Sequence, residues 1–175
     1  MNVLIPIATA MMLETYPMTI GGEAVRNERT LLAKVEDGEL MRSSESVRFL
    51  ILHCSATQLT RYHKKRGFRT IGYHFYIRKD GTITQHRKLL EVGAHCRPYN
   101  RCSIGICYEG GLDEHGKPCD TRTEAQTERI IELLYKLHKL FPKAKIVGHH
   151  DLPGTTPKAC PCLDTHDVFG WIEDM

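Results

Sequence analysis

No apolar run in the 175 residues approaches the ~20 needed to cross a membrane. No positive side chain precedes Arg26. The start, MNVLIPIATAMML, therefore lacks the basic leader of a signal peptide, although Ala8 and Ala10 mimic a cleavage site. Pro6 also breaks its apolar stretch, so export by this segment is not expected and synthesis is expected to end in the cytoplasm. A large excess of one charge sign is lacking too: the net charge is +3, and no arginine-rich stripe carries interleaved aromatics. Nucleic acid is thus not an expected partner. The longest basic cluster, Arg61 to Arg69, reads as a solvated helix face, with a weak anion patch as the sharper alternative. There is no internal repeat and no low-complexity tract. The length suits one domain with a substantial core, and a monomer is expected.

Seven cysteines are present, at 54, 96, 102, 107, 119, 160 and 162. The odd number leaves at least one thiol free, metal-bound or intermolecular. Cys96 and Cys102 are close enough in sequence to pair, but without an export signal reduced thiols are expected. Cys107, inside an apolar run, reads as a small buried thiol.

Residues 1–45 mix turn residues with short apolar pairs and read as an extension, a hairpin-and-helix arm or a peripheral segment. Residues 46–175 carry a clearer pattern. VRFLILH, from Val47, has strand length and composition. LTRYHKKRG, residues 59–67, can form a short helix stopped by Gly67. GYHFYIRKDGTITQHR gives two strands around Asp80-Gly81, a strong hairpin signal. SIGICYEGG is a further strand, with Ile104, Ile106 and Tyr108 on one face and Gly105, Cys107 and Glu109 on the other. Residues 124–140 repeat Ile130, Leu133, Leu134, Leu137 and Leu140 at helical spacing behind a Thr123/Gln126 capping box, and Pro142 ends the helix. AKIVGHH is a last strand, and DVFGWI a short closing helix. The order predicts an α/β domain: a central mixed β-sheet flanked by helices.

His53 ends the first of these strands and His149 the last, and Cys160 follows in the loop VGHHDLPGTTPKAC. Two imidazoles and a thiolate make a three-ligand zinc site with the fourth position left for water. Spacing alone argues weakly for this, because ten histidines and seven cysteines offer many accidental triples. The ordered fragments HCSAT, GYHF, DGTI, VGAHC, YN, SIGIC, GG, HH and PKACP add specificity. Over about residues 47–172 the chain resembles the type 2 N-acetylmuramoyl-L-alanine amidases, most closely the bacteriophage T7 lysozyme branch, with peptidoglycan recognition proteins as wider relatives.

That resemblance implies one Zn2+ per chain at the floor of a surface cleft, held by His53, His149 and Cys160. It implies Tyr73 and Lys158 as active-site residues, and His95 and Asn100 in the segment lining the groove for a peptidoglycan or muropeptide substrate. The implied reaction is hydrolysis of the bond between N-acetylmuramic acid and L-alanine, on the cell wall or its fragments. Phage-type release or cytoplasmic recycling would each bring the chain to such a substrate. The sequence departs from related amidases twice: Cys107 stands where another branch has a glutamate base, and the segment Gln58–Thr60 is shorter than usual. His74 and His150 are expected to point away from the site, as structural or supporting residues. Glu109 and Asp113 imply no paired carboxylates of the kind glycosidic cleavage uses. Two rival readings remain: a peptidoglycan-binding module without turnover, and a structural zinc protein with Cys162 or His150 as fourth ligand.

Overall fold

The computed structural model describes residues 18–27, 38–56, 71–155 and 158–175. The expected helix at 59–67, with the short segment Gln58–Thr60 and the whole basic cluster, lies outside them. Strands β1 (Thr19–Ile20) and β2 (Glu23–Ala24) form a small antiparallel hairpin. The main sheet holds β3 (Arg26–Asn27), β4 (Phe49–Cys54), β5 (Phe75–Ile77), β6 (Ile83–Gln85), β7 (Ser103–Tyr108) and β8 (Lys145–Gly148). Their order is β3-β6-β5-β7-β4-β8. The pairings β3–β6, β5–β7, β7–β4 and β4–β8 are parallel, and the β5–β6 hairpin around Asp80-Gly81 is antiparallel. The sheet is mixed, as the element order predicts.

Helix α1 (Glu124–Leu140) spans the expected residues. Thr123 accepts a hydrogen bond from the Gln126 N–H, and the Gln126 side chain accepts one from the Thr123 N–H, so the capping box closes. Gln126 also donates from Nε2 to the carbonyls of Ile77 and Glu109, tying the helix start to β5 and to the residue just after β7. Ile130, Leu133, Leu134 and Leu137 are fully buried and share one core with Leu50, Leu52, Phe75, Ile77, Ile104, Ile106 and Tyr108. The closing segment is α2 (Thr165–Phe169) followed by a 3-10 turn at Gly170–Asp174, whose Phe169 and Ile172 join the same core. Met18, Ile20 and Met41 also pack there, so the described part of the first 45 residues shares the apolar core.

Side chains alternate across a strand. The odd positions Ile51 and His53 of β4 therefore face away from α1, and so do Ser103, Gly105 and Cys107 of β7. Pairing places His53 beside Cys107, and Cys107 beside Tyr76, in one row across the sheet. The helix face is apolar and closed. The opposite face carries the polar groups.

Candidate metal centre

β4 delivers His53 at its penultimate position, 1% exposed. β8 ends at Gly148, and His149 opens a 3-10 turn, His149–Asp151. Asp151 fixes that turn by accepting the Gly148 N–H at 2.6 Å. Because the strand stops at 148, strand alternation does not govern His150. The turn carries it outward instead: it is exposed, with Nδ1 3.3 Å from the Ala159 carbonyl and Nε2 3.0 Å from Asp151.

The loop that follows returns to the sheet and is tied there at several points. The His150 N–H donates to the Cys160 carbonyl at 3.0 Å, and the Tyr108 hydroxyl donates to the Pro161 carbonyl at 2.6 Å. The Cys54 N–H donates to Cys160 Sγ at 3.3 Å.

These elements bring together one ligand atom each from His53, His149 and Cys160, all within 4.8 Å of one another. Cys160 Sγ lies 3.8 Å from His53 Nδ1. A tetrahedral ion with Zn–N ~2.1 Å and Zn–S ~2.3 Å separates such atoms by ~3.6 Å, so the spacing fits zinc. Among the described residues this is the one group of metal-type ligands, and neither Cys162 nor His150 joins it. Cys162 Sγ instead sits 3.7 Å from Cys54 Sγ and donates to the Gly111 carbonyl. The set is three ligands, as a site with an open position requires.

The electrostatics suit metal ligation. Burial first, and then the nearby His149 and Lys158, hold His53 well below the usual imidazole range. Burial, then Lys158, lowers His149 as well. Both rings are neutral near pH 7, with a lone pair to give. The exposed Lys158 is close enough for its charge to act on both rings.

Tyr73 packs its ring 5.0 Å from that of His53. Its hydroxyl hydrogen-bonds the buried Cys107 thiol, and burial foremost pushes it well above the usual phenol range. It therefore enters the site as a neutral O–H. His95 also packs on His53, with its Nδ1 3.0 Å from His53 Nε2 and its ring 6.2 Å from that of Tyr73. Asn100 shapes that loop, its Oδ1 accepting the N–H groups of His95 and Cys96 at 2.9 and 2.8 Å. His74 is wholly buried beneath: its Nε2 donates to the Glu91 carbonyl, and its Nδ1 accepts the Gly105 N–H. Glu109 accepts the Lys79 N–H, and Asp113 accepts the N–H groups of His115 and Lys117, so both carboxylates serve turns.

Sequence reasoning missed Ser103 and the Cys54 N–H. Ser103 had a signal: it stands two and four residues before Gly105 and Cys107, and so on the site face. The Cys54 contact joins residues 106 apart and had none.

A family model described as N-acetylmuramoyl-L-alanine amidase matches residues 43–162. The chain belongs to the N-acetylmuramoyl-L-alanine amidase family. The endolysin of Enterobacteria phage K11 is 37% identical over 142 residues, covering 76% of this chain and 89% of the phage protein. The endolysin of Escherichia phage T7 is 36% identical over 132 residues, covering 70% and 85%. Among solved structures, the endolysin amidase LysCS of Clostridium intestinale superposes with a TM-score of 0.61 at 26% identity, covering 78% of this chain and 86% of its own. This amidase thus shares both sequence and fold with endolysins. No helix among its described residues is long and apolar enough to cross a membrane.

Proposed function

We propose that the chain is a zinc-dependent amidase that cleaves between N-acetylmuramic acid and the L-alanine of the stem peptide in peptidoglycan. The observation that carries this is the convergence of His53, His149 and Cys160 at the ends of parallel strands, with a cation and a phenol beside them. Two neutral imidazoles and a thiolate would hold one Zn2+, which when bound supplies Lewis-acid polarisation of a carbonyl and a water of lowered pKa.

The chain's own groups do the rest. The Lys158 ammonium stabilises negative charge on the scissile carbonyl oxygen, a contribution of about 3 kcal/mol for such a donor. Tyr73, neutral and held by Cys107, orients the attacking water; its phenol oxygen takes the water's proton as its own O–H proton passes to the leaving amide nitrogen. Cys107 has no carboxylate to offer, so Tyr73, hydrogen-bonded to that thiol and packed on the His53 ring, is the proton-handling group beside the ligands. His95 and Asn100 bound the muramyl-peptide side, where the Asn100 amide N–H groups are the donors its loop leaves for substrate.

The test is digestion of purified peptidoglycan with mass analysis of the products. The expected result is free stem peptides with a new L-alanine amino terminus and intact glycan strands. New reducing sugar ends without new amino ends would overturn the amidase reaction. Intact muropeptides recovered on the protein would replace it with a binding module. A small muramyl-peptide run beside whole wall separates chemistry from reach.

A further inference from the structure

We infer that His95 is a positioning residue for the metal centre: a backbone carbonyl, acting through Ser103 and then His95, fixes the tautomer and angle of His53. This rests on the reading of His53 as a metal ligand.

The direction of the chain follows from its far end. The Tyr99 carbonyl can only accept, and Ser103 Oγ is 2.7 Å from it, so the serine O–H is committed there. Ser103 Oγ then has only lone pairs for His95 Nε2, which lies 3.4 Å away and must carry a hydrogen to bond it. A neutral imidazole with hydrogen on Nε2 has its lone pair on Nδ1. That atom faces His53 Nε2 at 3.0 Å and accepts its hydrogen. His53 is left with its lone pair on Nδ1, the atom that faces Cys160 Sγ. Each link permits one arrangement, and the last delivers a ligand lone pair to the cluster.

The protein also makes room for this ring. A Cβ at Gly105 would lie 2.6 Å from His95 Cγ, and one at Gly93 would lie 2.5 Å from His95 Cδ2. The Asn100 bonds to the His95 and Cys96 N–H groups hold the backbone, and the His95 ring meets His53 edge-on at 90°. Glycine on both flanks, a braced loop and a one-way hydrogen-bond chain together define a slot built for one ring orientation. Outer partners of this kind typically govern metal affinity or activity by about 10–100-fold.

The test compares wild type with His95→Leu, His95→Gln, Ser103→Ala and Gly105→Ala. The first readout needs no metal: long-range 1H–15N correlation spectra of the metal-free protein assign the His53 tautomer. Wild type should show hydrogen on Nε2 alone. His95→Leu should mix the two tautomers, and His95→Gln, whose amide can accept and donate, should restore one. The second readout is zinc affinity by chelator competition, expected to fall about 10–100-fold in His95→Leu and less in His95→Gln and Ser103→Ala. Gly105→Ala should reproduce the His95→Leu spectrum, because it displaces the ring without removing a polar atom. Should His95→Leu not fold, Ser103→Ala and Gly105→Ala carry the same two readouts. A single unchanged His53 tautomer with wild-type zinc affinity in the folded variants overturns the proposal. So does a loss expressed only as raised KM, which would make His95 a substrate contact. A wild-type protein that shows the tautomer but binds no zinc would overturn the metal reading while leaving the hydrogen-bond chain intact.

Discussion

Leu52 and His53 are neighbours on β4, both buried, and they point to opposite sides of one sheet. Leu52 enters an apolar core closed by α1, where burying such a side chain contributes about 1.5–3 kcal/mol. His53 enters a layer of imidazoles, thiols and a phenol, where burial costs free energy unless each polar atom finds a partner. One face therefore supplies stability in excess, and the other uses it. The helix face holds the strands in register firmly enough to keep neutral histidines aimed at one point. The two faces should consequently fail in different ways.

The sharpest break lies at the ligands. Cys160→Ser and His149→Ala should each abolish hydrolysis and lose most of the single zinc per chain, read by metal analysis. Unfolding of the metal-free protein should move by no more than about 1 kcal/mol. Full zinc occupancy in both variants would sink the ligand assignment.

A smaller effect separates chemistry from ligation. Tyr73→Phe and Lys158→Ala should keep zinc and fold, with turnover falling by about 10²–10³-fold. A variant that cuts at the wild-type rate loses its assigned role. On the opposite face, Leu133→Ala should destabilise by about 2–5 kcal/mol, measured by urea unfolding, with turnover per folded molecule unchanged. If that variant also loses zinc, the two faces are less independent than their packing implies.

The two faces were also unequally legible. The helix face could be read from local signals: a 3.6-residue period and a capping box for α1, an Asp-Gly turn for β5–β6, alternation for β7. The metal triad could not be read from spacing. It emerged from the ordered family fragments, because ligands from three distant segments leave no local period. The His53–His95 contact, 42 residues apart, depends on β7 lying between β5 and β4, and strand order is set by packing of whole strands rather than by any one of them. His150 shows a sound conclusion reached through the wrong element: it does turn away from the cluster, by a 3-10 turn and not by strand alternation.

Acid should distinguish the faces next. Burial foremost pushes His74 down to about 3, and burial likewise lowers His53, His95 and His149. An unfolded imidazole takes its proton near pH ~6.5, whereas the folded ones do so only at lower pH. In that window the unfolded state holds more protons, so stability rises with pH and is lost as pH falls below ~6.5. His74 alone should contribute about 1.4 kcal/mol per pH unit between its two values. Urea unfolding of metal-free protein at pH 7 and pH 5, above the carboxylate range, should show the loss. Equal stability at both values would mean that the buried rings are solvated more than their packing shows.

The finest test sets His150→Ala against His149→Ala. Both residues are histidines on one turn, and only burial and direction separate them. His149 is 8% exposed and contributes a cluster atom, while His150 is exposed and contributes none. What His150 gives the site is largely backbone: its N–H holds the Cys160 carbonyl, and alanine keeps that bond. Its ring adds contacts to the Ala159 carbonyl and to Asp151 at the surface, where screening by water leaves such pairs about 0–1 kcal/mol. His150→Ala should therefore shift zinc affinity by no more than a few-fold, about 1 kcal/mol or less, and leave turnover near wild type. His149→Ala should lose both. Chelator competition and turnover on the same two variants decide it, and the reverse ranking would mean that the neighbouring histidine is the ligand.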